Sequence, residues 1–427
     1  MVSAVSLDRG RRTLDDAAVD DSQGVRAVRD PSLWGPLAAR YQPRRPRRLL
    51  ALDGGGIRGV LTLAILGEIE RLVGQPLCEY FDYIAGTSTG AILAAGLAHG
   101  LSVDELTTFY RETGPDMFER TRYLQRLNSL YNNGPLERKL KEVFGEQTDL
   151  KPERLKTLLL VVTRNVTTDS PWPISSNPEA RYNDIARPDC NLRVPLWQLV
   201  RASTAAPVYF PPEVIRFDPD DASKAFVFVD GGVTPYNNPA FLLFRFATEP
   251  AYRLEWSRGE RNLLLVSVGT GACAIAGADV AAPARNLFTT SLAVPNALLF
   301  GSLVDQDVNC RMIGRCSYGE PIDHELGDMV PRDGGDDDPF DVRLSRPMVP
   351  LSTDLGRAFL YVRYNVDLTE PGLTRLGFRD VKAAAVQRLD CATPEHIALL
   401  MRIGRAASRQ VQQEHFGSFL PADARQS

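Results

Sequence analysis

Short apolar runs and stretches with helical spacing alternate along the chain once a polar N-terminal stretch ends. The run Leu49–Leu52 is typical of a buried parallel strand. Across Ile57–Val73, apolar residues recur every three or four positions, which predicts a helix. A second strand is predicted at Phe81–Ala85, followed by an alanine-rich helix at Ala91–Ala98 that Gly100 ends. Because strands and helices alternate, the sequence predicts an α/β protein with a parallel sheet and helices packed on its faces.

The same two patterns recur further along the chain. Short apolar runs bounded by turn residues predict strands at Thr157–Thr163, Ala225–Val229 and Asn262–Val268. Helical spacing predicts helices at Val103–Thr113, Pro195–Thr204 and Thr393–Gln413. The stretch Asn286–Val304 is apolar and poor in charge, which fits either a buried helix or a lid at an interface.

Composition excludes several classes of protein. With 427 residues, 44% hydrophobic and 24% charged, the chain can bury a sizeable core. A net charge of −4 gives no basis for binding a nucleic acid polymer. The six cysteines include no C-x-x-C pair, and the acidic stretch Asp333–Pro339 lacks the spacing of an EF-hand, so we expect neither metal nor cofactor. Reduced thiols, no signal peptide and no run of about 18 apolar residues predict a cytoplasmic protein.

The pentapeptide Gly86–Gly90 carries a serine at its centre, between a predicted strand and a predicted helix. Its sequence, GTSTG, fits the pattern G-x-S-x-G. Small neighbours allow a tight turn that exposes the Ser88 hydroxyl, and the following helix directs its positive N-terminal end at that oxygen. Ser88 is therefore a candidate nucleophile. An ordinary helix N-cap is the alternative, because serine is also favoured there.

A glycine-rich segment, Asp53–Gly59, follows the first predicted strand with the sequence DGGGIRG. Successive glycines before a helix expose backbone amides that can hold an oxyanion or a phosphate. Gly54, Gly56 and Gly59 also match G-x-G-x-x-G, the fingerprint of dinucleotide-binding proteins. That fingerprint requires an acidic residue at the end of the second strand, where this chain has the serine turn. We therefore favour the oxyanion interpretation.

A carboxylate, Asp230, directly follows the apolar run Phe226–Val229 and precedes two glycines. The carboxyl ends of strands are where α/β proteins place their active sites. An aspartate before glycines is also typical of an ordinary turn. The residue types alone leave both interpretations open.

A serine hydrolase with a catalytic triad also needs a histidine. The chain has four, at His99, His324, His396 and His415. His99 ends the helix that starts at Ser88 and lies about 16 Å from it along the axis, which is too far for a base. The other three could formally complete a Ser-His-Asp triad, although none follows a clear strand end. All four fit surface or core positions as well.

Residues 48–275 resemble patatin-like phospholipases in five segments that stand in the family's order. In chain order, the segments are Asp53–Gly59, Gly86–Gly90, Ala202–Phe210, Asp230–Gly232 and Ser267–Gly271. They are similar, respectively, to the family's glycine loop, serine elbow, A-[ST]-x-A-A-P-x-Y-F segment, catalytic D-G-[GA] and late S-[LV]-G-T-G strand end. Each is short, but the five in order are specific. The resemblance implies a three-layer α/β/α sandwich around a mostly parallel central sheet.

The resemblance implies a calcium-independent lipid acyl hydrolase of the phospholipase A or lysophospholipase type. Ser88 would be the nucleophile and Asp230 its general base. The oxyanion hole would comprise Gly54, Gly55 and Gly56, with Arg58 in support. Supporting positions would be Asp53, Gly86, Gly90, Gly231 and Gly232. A second hypothesis, from another class, is a module that binds a nucleotide or lipid without turnover.

The resemblance also suggests a division of the chain. Residues 1–46 would form a flexible polar and basic arm, 47–275 the catalytic core, and 276–427 a C-terminal region of lid or regulatory helices packed on it. Gly301–Cys316 and Tyr361–Asn365 are similar to segments of bacterial patatins, some of which are anti-phage effectors switched on by cyclic oligonucleotides. The implied partners are a membrane phospholipid or lysophospholipid, met by transient contact at the inner membrane, and a cyclic nucleotide activator.

Overall fold

A computed structural model describes residues 29–42, 45–117, 134–272, 287–322 and 356–421; for 287–299 it describes the helical backbone alone. The strands in these ranges are β1 (Arg47–Leu52), β2 (Tyr83–Thr87), β3 (Leu158–Asn165), β4 (Ser170–Ser175), β5 (Glu213–Arg216), β6 (Ala225–Asp230), β7 (Leu263–Val268), β8 (Arg315–Tyr318) and β9 (Leu360–Tyr364). The helices are α1 (Pro31–Trp34), α2 (Gly59–Val73), α3 (Leu77–Tyr80), α4 (Thr89–His99), α5 (Val103–Met117), α6 (Gly134–Phe144), α7 (Leu196–Ser203), α8 (Ala240–Thr248), α9 (Leu287–Ile313), α10 (Glu370–Arg375), α11 (Ala383–Val386) and α12 (Pro394–Ser408).

One mixed sheet joins the strands in the order β5-β6-β3-β2-β1-β7-β9-β8. Strand β4 lies off this path and pairs with β3 on the edge opposite β2 and β6. The strands from β3 through β2, β1, β7 and β9 to β8 are mutually parallel. The pairings of β4, β5 and β6 are antiparallel. The predicted mostly parallel sheet is therefore confirmed, with an antiparallel extension beside β3.

Side chains of the central strands divide between two hydrophobic cores, one on each face of the sheet. On β1, Leu50 and Leu52 belong to the core that contains residues of α2, α4, α5 and α12. Leu49 and Ala51 point to the opposite core, which contains residues of α8. Successive residues of a strand alternate between faces, so a strand covered by helices on both sides must be apolar throughout. The predicted three-layer α/β/α sandwich is confirmed.

Strands β2 and β6 meet end to end along one edge of β3. Strand β2 pairs with β3 in parallel up to Thr87, which lies opposite Val162. Strand β6 runs antiparallel to β3, and its last residue, Asp230, lies opposite Thr163. Both must use the same edge of β3, since β4 occupies the other edge along both stretches. Ser88, the first residue after β2, is thereby brought beside Asp230.

Asp230 ends β6, as predicted for a carboxylate at the carboxyl end of a strand. Strand β6 runs antiparallel to β3 and pairs with only the last three residues of that strand. The carboxyl ends of β2 and β6 therefore lie next to each other along the same edge of β3.

Part of the segment for which the sequence predicts a flexible arm is packed against the fold. Trp34 and Tyr41 are almost completely buried in the core that contains Leu49 and Ala51. The Trp34 indole donates a 2.7 Å hydrogen bond to Glu179. The Tyr41 hydroxyl donates a 2.6 Å bond to the carbonyl of Asp82. This stretch before residue 46 is therefore packed onto the fold through two buried aromatic side chains. Residues 1–28 and 43–44 lie outside the described residues.

The helix predicted within Asn286–Val304 is confirmed as part of α9. The choice between a buried helix and a lid depends on the side chains of residues 287–299, which are outside the described ones. His324 and the acidic stretch Asp333–Pro339 also lie outside the described residues. Among the helices described, none combines the length and apolar character needed to cross a bilayer.

Candidate active site

Ser88 lies at the sharp turn between β2 and α4. Its backbone has φ 55° and ψ −123°, a conformation that residues with side chains rarely adopt. A Cβ at Gly86 would clash with the carbonyl oxygen of Gly90, and a Cβ at Gly90 would clash with that of Leu52. The flanking glycines therefore allow the turn to close against the end of β1. Such strain at a half-buried polar residue is characteristic of functional sites.

The Ser88 hydroxyl donates a 2.6 Å hydrogen bond to the Asp230 carboxylate. Ser88 occupies the N-cap position of α4, but its side chain makes no capping bond to the helix, so capping does not account for this serine. The other Asp230 oxygen accepts a 2.7 Å bond from the backbone amide of Gly232. Gly231 between them is required by close approach to β3, because a Cβ there would clash with the Val162 carbonyl. The carboxylate is thus fixed in position with one oxygen on the serine.

Burial raises the pKa of Asp230 from its ordinary 3.8 to about 6, although the hydrogen bonds from Ser88 and Gly232 and the nearby Arg201 cation oppose the rise. Only 4% of this residue is exposed. A carboxylate with a pKa near 6 is ionised at neutral pH, yet accepts a proton more readily than an ordinary aspartate. The arrangement can therefore deprotonate the serine hydroxyl.

Ser203, at the end of α7, holds the serine turn from the other side. Its hydroxyl accepts a 3.0 Å bond from the Ser88 amide and donates a 2.7 Å bond to the Val162 carbonyl. The amide of Asp230 donates to the carbonyl of Ala205, two residues further along. This segment resembles a motif of the family, but its residues alone predict no role for it. It ties both Ser88 and Asp230 to one turn.

The glycine loop packs directly against Ser88. A Cβ at Gly54 would lie 3.2 Å from the Cβ of Ser88, and a Cβ at Gly55 would clash with the Thr270 side chain. The Thr270 hydroxyl donates a 2.9 Å bond to the Gly54 carbonyl. The loop is therefore packed against protein, as an oxyanion loop next to a nucleophile would be. That packing, and the absence of an acidic residue at the end of β2, oppose the dinucleotide interpretation.

One of the three predicted oxyanion donors is already occupied. The Gly54 amide donates a 3.0 Å bond to the carbonyl of Asn237, which corrects its assignment to the oxyanion hole. Within the described residues, the amides of Gly55 and Gly56 have no such acceptor. Arg58 is buried in the short 3₁₀ helix that follows the loop, Gly56–Arg58. Its supporting role stays a prediction.

Asp53 does more than precede the glycines. Its carboxylate receives two hydrogen bonds from the Arg363 guanidinium, at 2.9 and 2.6 Å, and both side chains are almost fully buried. Arg363 also donates a 2.7 Å bond to Ser267. The segment Tyr361–Asn365 does not predict this contact, because an arginine in an apolar strand does not reveal its partner. Spacing along the chain could not have identified the pair.

No imidazole contacts the serine–aspartate pair among the residues that the structure describes. His99 bonds the carbonyl of Arg154, and His415 bonds the hydroxyl of Tyr364 at 2.8 Å. His396 is buried on α12, where burial and the nearby Arg388 lower its pKa. Because both Asp230 oxygens are occupied by Ser88 and Gly232, the described geometry favours a dyad over a triad.

Comparison with known proteins identifies similarities over the same part of the chain. Residues 50–244 match the family model described as patatin-like phospholipase. Over 215 residues the chain is 34% identical to the cGAMP-activated phospholipase of Vibrio cholerae. This alignment covers 46% of this chain and 56% of that protein. Over 283 residues it is 29% identical to the 85/88 kDa calcium-independent phospholipase A2 of Rattus norvegicus, covering 62% of this chain and 32% of that one.

A third relative is the cUMP-AMP-activated phospholipase of Escherichia coli, 31% identical over 224 residues, or 52% of this chain and 64% of that protein. The matched region thus spans from 32% to 64% of the length of these three relatives.

Proposed function

We propose, from the premise that residues 50–244 form a patatin-like phospholipase domain, that the protein hydrolyses acyl esters of phospholipids or lysophospholipids. The observation that carries the proposal is the 2.6 Å contact between the Ser88 hydroxyl and the Asp230 carboxylate, at a strained turn against a glycine loop. A nucleophile beside its base, with backbone amides nearby, is the arrangement that acyl transfer requires.

The reaction proceeds in two steps through a covalent intermediate. Asp230 accepts the Ser88 proton as the oxygen attacks the acyl carbon, and the tetrahedral intermediate expels the alcohol, which takes that proton. Water then attacks the acyl-serine, giving a proton to Asp230 and releasing the fatty acid as Ser88 recovers its hydrogen. In both steps the negative oxygen is stabilised by the amides of Gly55 and Gly56, at about 3–4 kcal/mol for a well-placed donor.

The serine assignment is tested with a fluorophosphonate probe, which forms a covalent bond to an activated serine. We expect the wild type to be labelled and Ser88→Ala not to be labelled. Ser223→Ala is the matched control, because Ser223 is exposed and bonds only Asp221 in the described structure. Persistent labelling of Ser88→Ala would place the nucleophile elsewhere, and an unlabelled wild type would favour the non-catalytic binding module.

The pH dependence tests the base. Asp230 must be ionised to accept a proton, and its pKa is about 6, so kcat/KM should be constant above that pH and fall about tenfold per unit below it. The measurement is kcat/KM for a soluble short-chain ester between about pH 4.5 and 8.5. A plateau that continues down to about pH 4.5 would show that the essential carboxylate is not the buried one.

Two further proposals concern the surroundings of this site. The predicted substrate is a membrane lipid, so the protein would work by transient contact at the inner surface of the cytoplasmic membrane. Activation by a cyclic nucleotide rests on the names of two bacterial relatives, which are activated by cGAMP and cUMP-AMP. Mass spectrometry of lipids incubated with the protein, with and without these nucleotides and with Ser88→Ala as the blank, tests both.

A further inference from the structure

The glycine loop is fixed from both ends by residues far beyond the matched domain. At its start, Asp53 is bound by Arg363 of β9. At its end, the carbonyl of Leu389 accepts a 2.9 Å bond from the Ile57 amide, and that carbonyl would clash with a Cβ at Gly56. Residues 50–244 match the family model, so both contacts come from the region that the sequence analysis set outside the catalytic core.

The sheet register explains how Arg363 reaches the loop. Arg363 of β9 lies opposite Ser267 of β7, and Ser267 lies opposite Ala51 of β1. Asp53 follows Ala51 by two positions, and residues two apart on a strand point to the same side. The residues at the two intervening register positions, Ser267 and Ala51, have small side chains, and Ser267 accepts a bond from Arg363.

We propose that Arg363 is a positioning residue for the proposed hydrolysis, which holds the glycine loop in register with Ser88 through its two hydrogen bonds to Asp53. A planar guanidinium that binds both oxygens of a carboxylate fixes orientation as well as distance. Asp53 is followed directly by Gly54, whose backbone lies against Ser88. Movement of Asp53 therefore moves the amides that face the acyl oxygen, and the catalytic unit includes β9.

A second buried pair in the same region supplies a matched comparison. Asp307 and Arg311 of α9 also form two hydrogen bonds, at 2.9 and 3.1 Å, and both residues are buried. They lie one turn apart on a single helix, so their contact does not join the glycine loop to another element. Loss of either pair disturbs a buried ion pair, but only the pair containing Arg363 forms hydrogen bonds to the loop. Asp307 acts on Asp53 and Arg363 through its charge alone.

The test compares two double variants, Asp53→Asn with Arg363→Met, and Asp307→Asn with Arg311→Met. Removing both charges avoids an unpaired buried ion, so both proteins should fold. For a soluble short-chain ester we expect the first to lower kcat about 100-fold, since a misplacement of about 1 Å costs that much, with KM changed less than about threefold. The second should keep kcat within about threefold of wild type. Melting temperatures of both are measured alongside.

The single variant Arg363→Met separates positioning from stability. It leaves the Asp53 carboxylate buried without its partner, so its melting temperature should fall below that of the double variant. Its kcat should nevertheless match that of the double variant. A recovery of kcat in the double variant along with its melting temperature would overturn the positioning role, and so would an equal loss of kcat in the Asp307 and Arg311 variant.

The inference rests on the proposed function, and the same assay distinguishes their failures. If the wild type turns over no ester and Ser88 takes up no fluorophosphonate, the hydrolysis itself is wrong and the role of Arg363 in it falls too. If the wild type is active and the Arg363 double variant is equally active, only the positioning role is overturned.

Discussion

Asp230→Asn is expected to lower kcat/KM by about 10⁴-fold or more while leaving the fold intact, since loss of one member of a nucleophile–base pair removes nearly all of its contribution. The amide oxygen can still accept the bond from Gly232, and the amide nitrogen can still reach the Ser88 oxygen. It cannot accept the serine proton. Ester hydrolysis and fluorophosphonate labelling should therefore fall together.

The same substitution should stabilise the protein at neutral pH. Because the folded state raises the pKa of Asp230 from 3.8 to about 6, that group favours folding below about pH 4 and loses this contribution as the pH rises through about 6. The pKa difference of about 2, at about 1.4 kcal/mol per pKa unit, corresponds to a cost on the order of 3 kcal/mol for keeping the buried carboxylate ionised. Asparagine carries no charge and avoids this cost.

Urea unfolding of both proteins between about pH 4 and 8 measures this effect. The gain of the variant should be small at the acid end and largest above about pH 6. Asp221→Asn is the matched control, because Asp221 also accepts a bond from an amide two residues ahead but is much less buried. A variant of Asp230 that is less stable than wild type at neutral pH would contradict the desolvation argument.

Gly90→Ala should unfold the protein or destabilise it by more than about 4 kcal/mol, the range of severe steric changes at a buried site. A Cβ at this position would clash with the carbonyl oxygen of Leu52 and lie 2.7 Å from that of Asp53. Both atoms belong to the backbone, and the chain around them is fixed by the sheet and the glycine loop. Neither can move without displacing the glycine loop.

Gly67→Ala is the contrasting substitution, in the middle of α2. The nearest atom to a Cβ there is a side-chain carbon of Val103 at 3.8 Å, an ordinary contact. Alanine favours a helix interior over glycine by about 0.5–1 kcal/mol, so this variant should be slightly more stable than wild type. Thermal and urea unfolding compare the two. Similar behaviour of both variants would show that the turn at Gly90 is looser than described.

The sequence indicated the central strands well, because β1, β2, β3 and β7 are covered on both faces and must be apolar along their whole length. It did not predict β4, β5, β8 or β9. Strands β5 and β8 have only four residues each and lie at the ends of the sheet, with partly exposed side chains. Strand β9 is buried but carries Arg363, whose charge hides its apolar pattern.

The sequence by itself identified the candidate residues: glycines in a loop and at a turn, a serine between a predicted strand and a predicted helix, and an aspartate at the end of an apolar run. The tertiary structure decided which of them meet. Ser88 contacts Asp230 because two strands running in opposite directions end at neighbouring positions on β3. Arg363 contacts Asp53 because three parallel strands align them. Such contacts depend on the register between strands that are far apart in the chain, and the spacing of residues along the sequence does not determine that register.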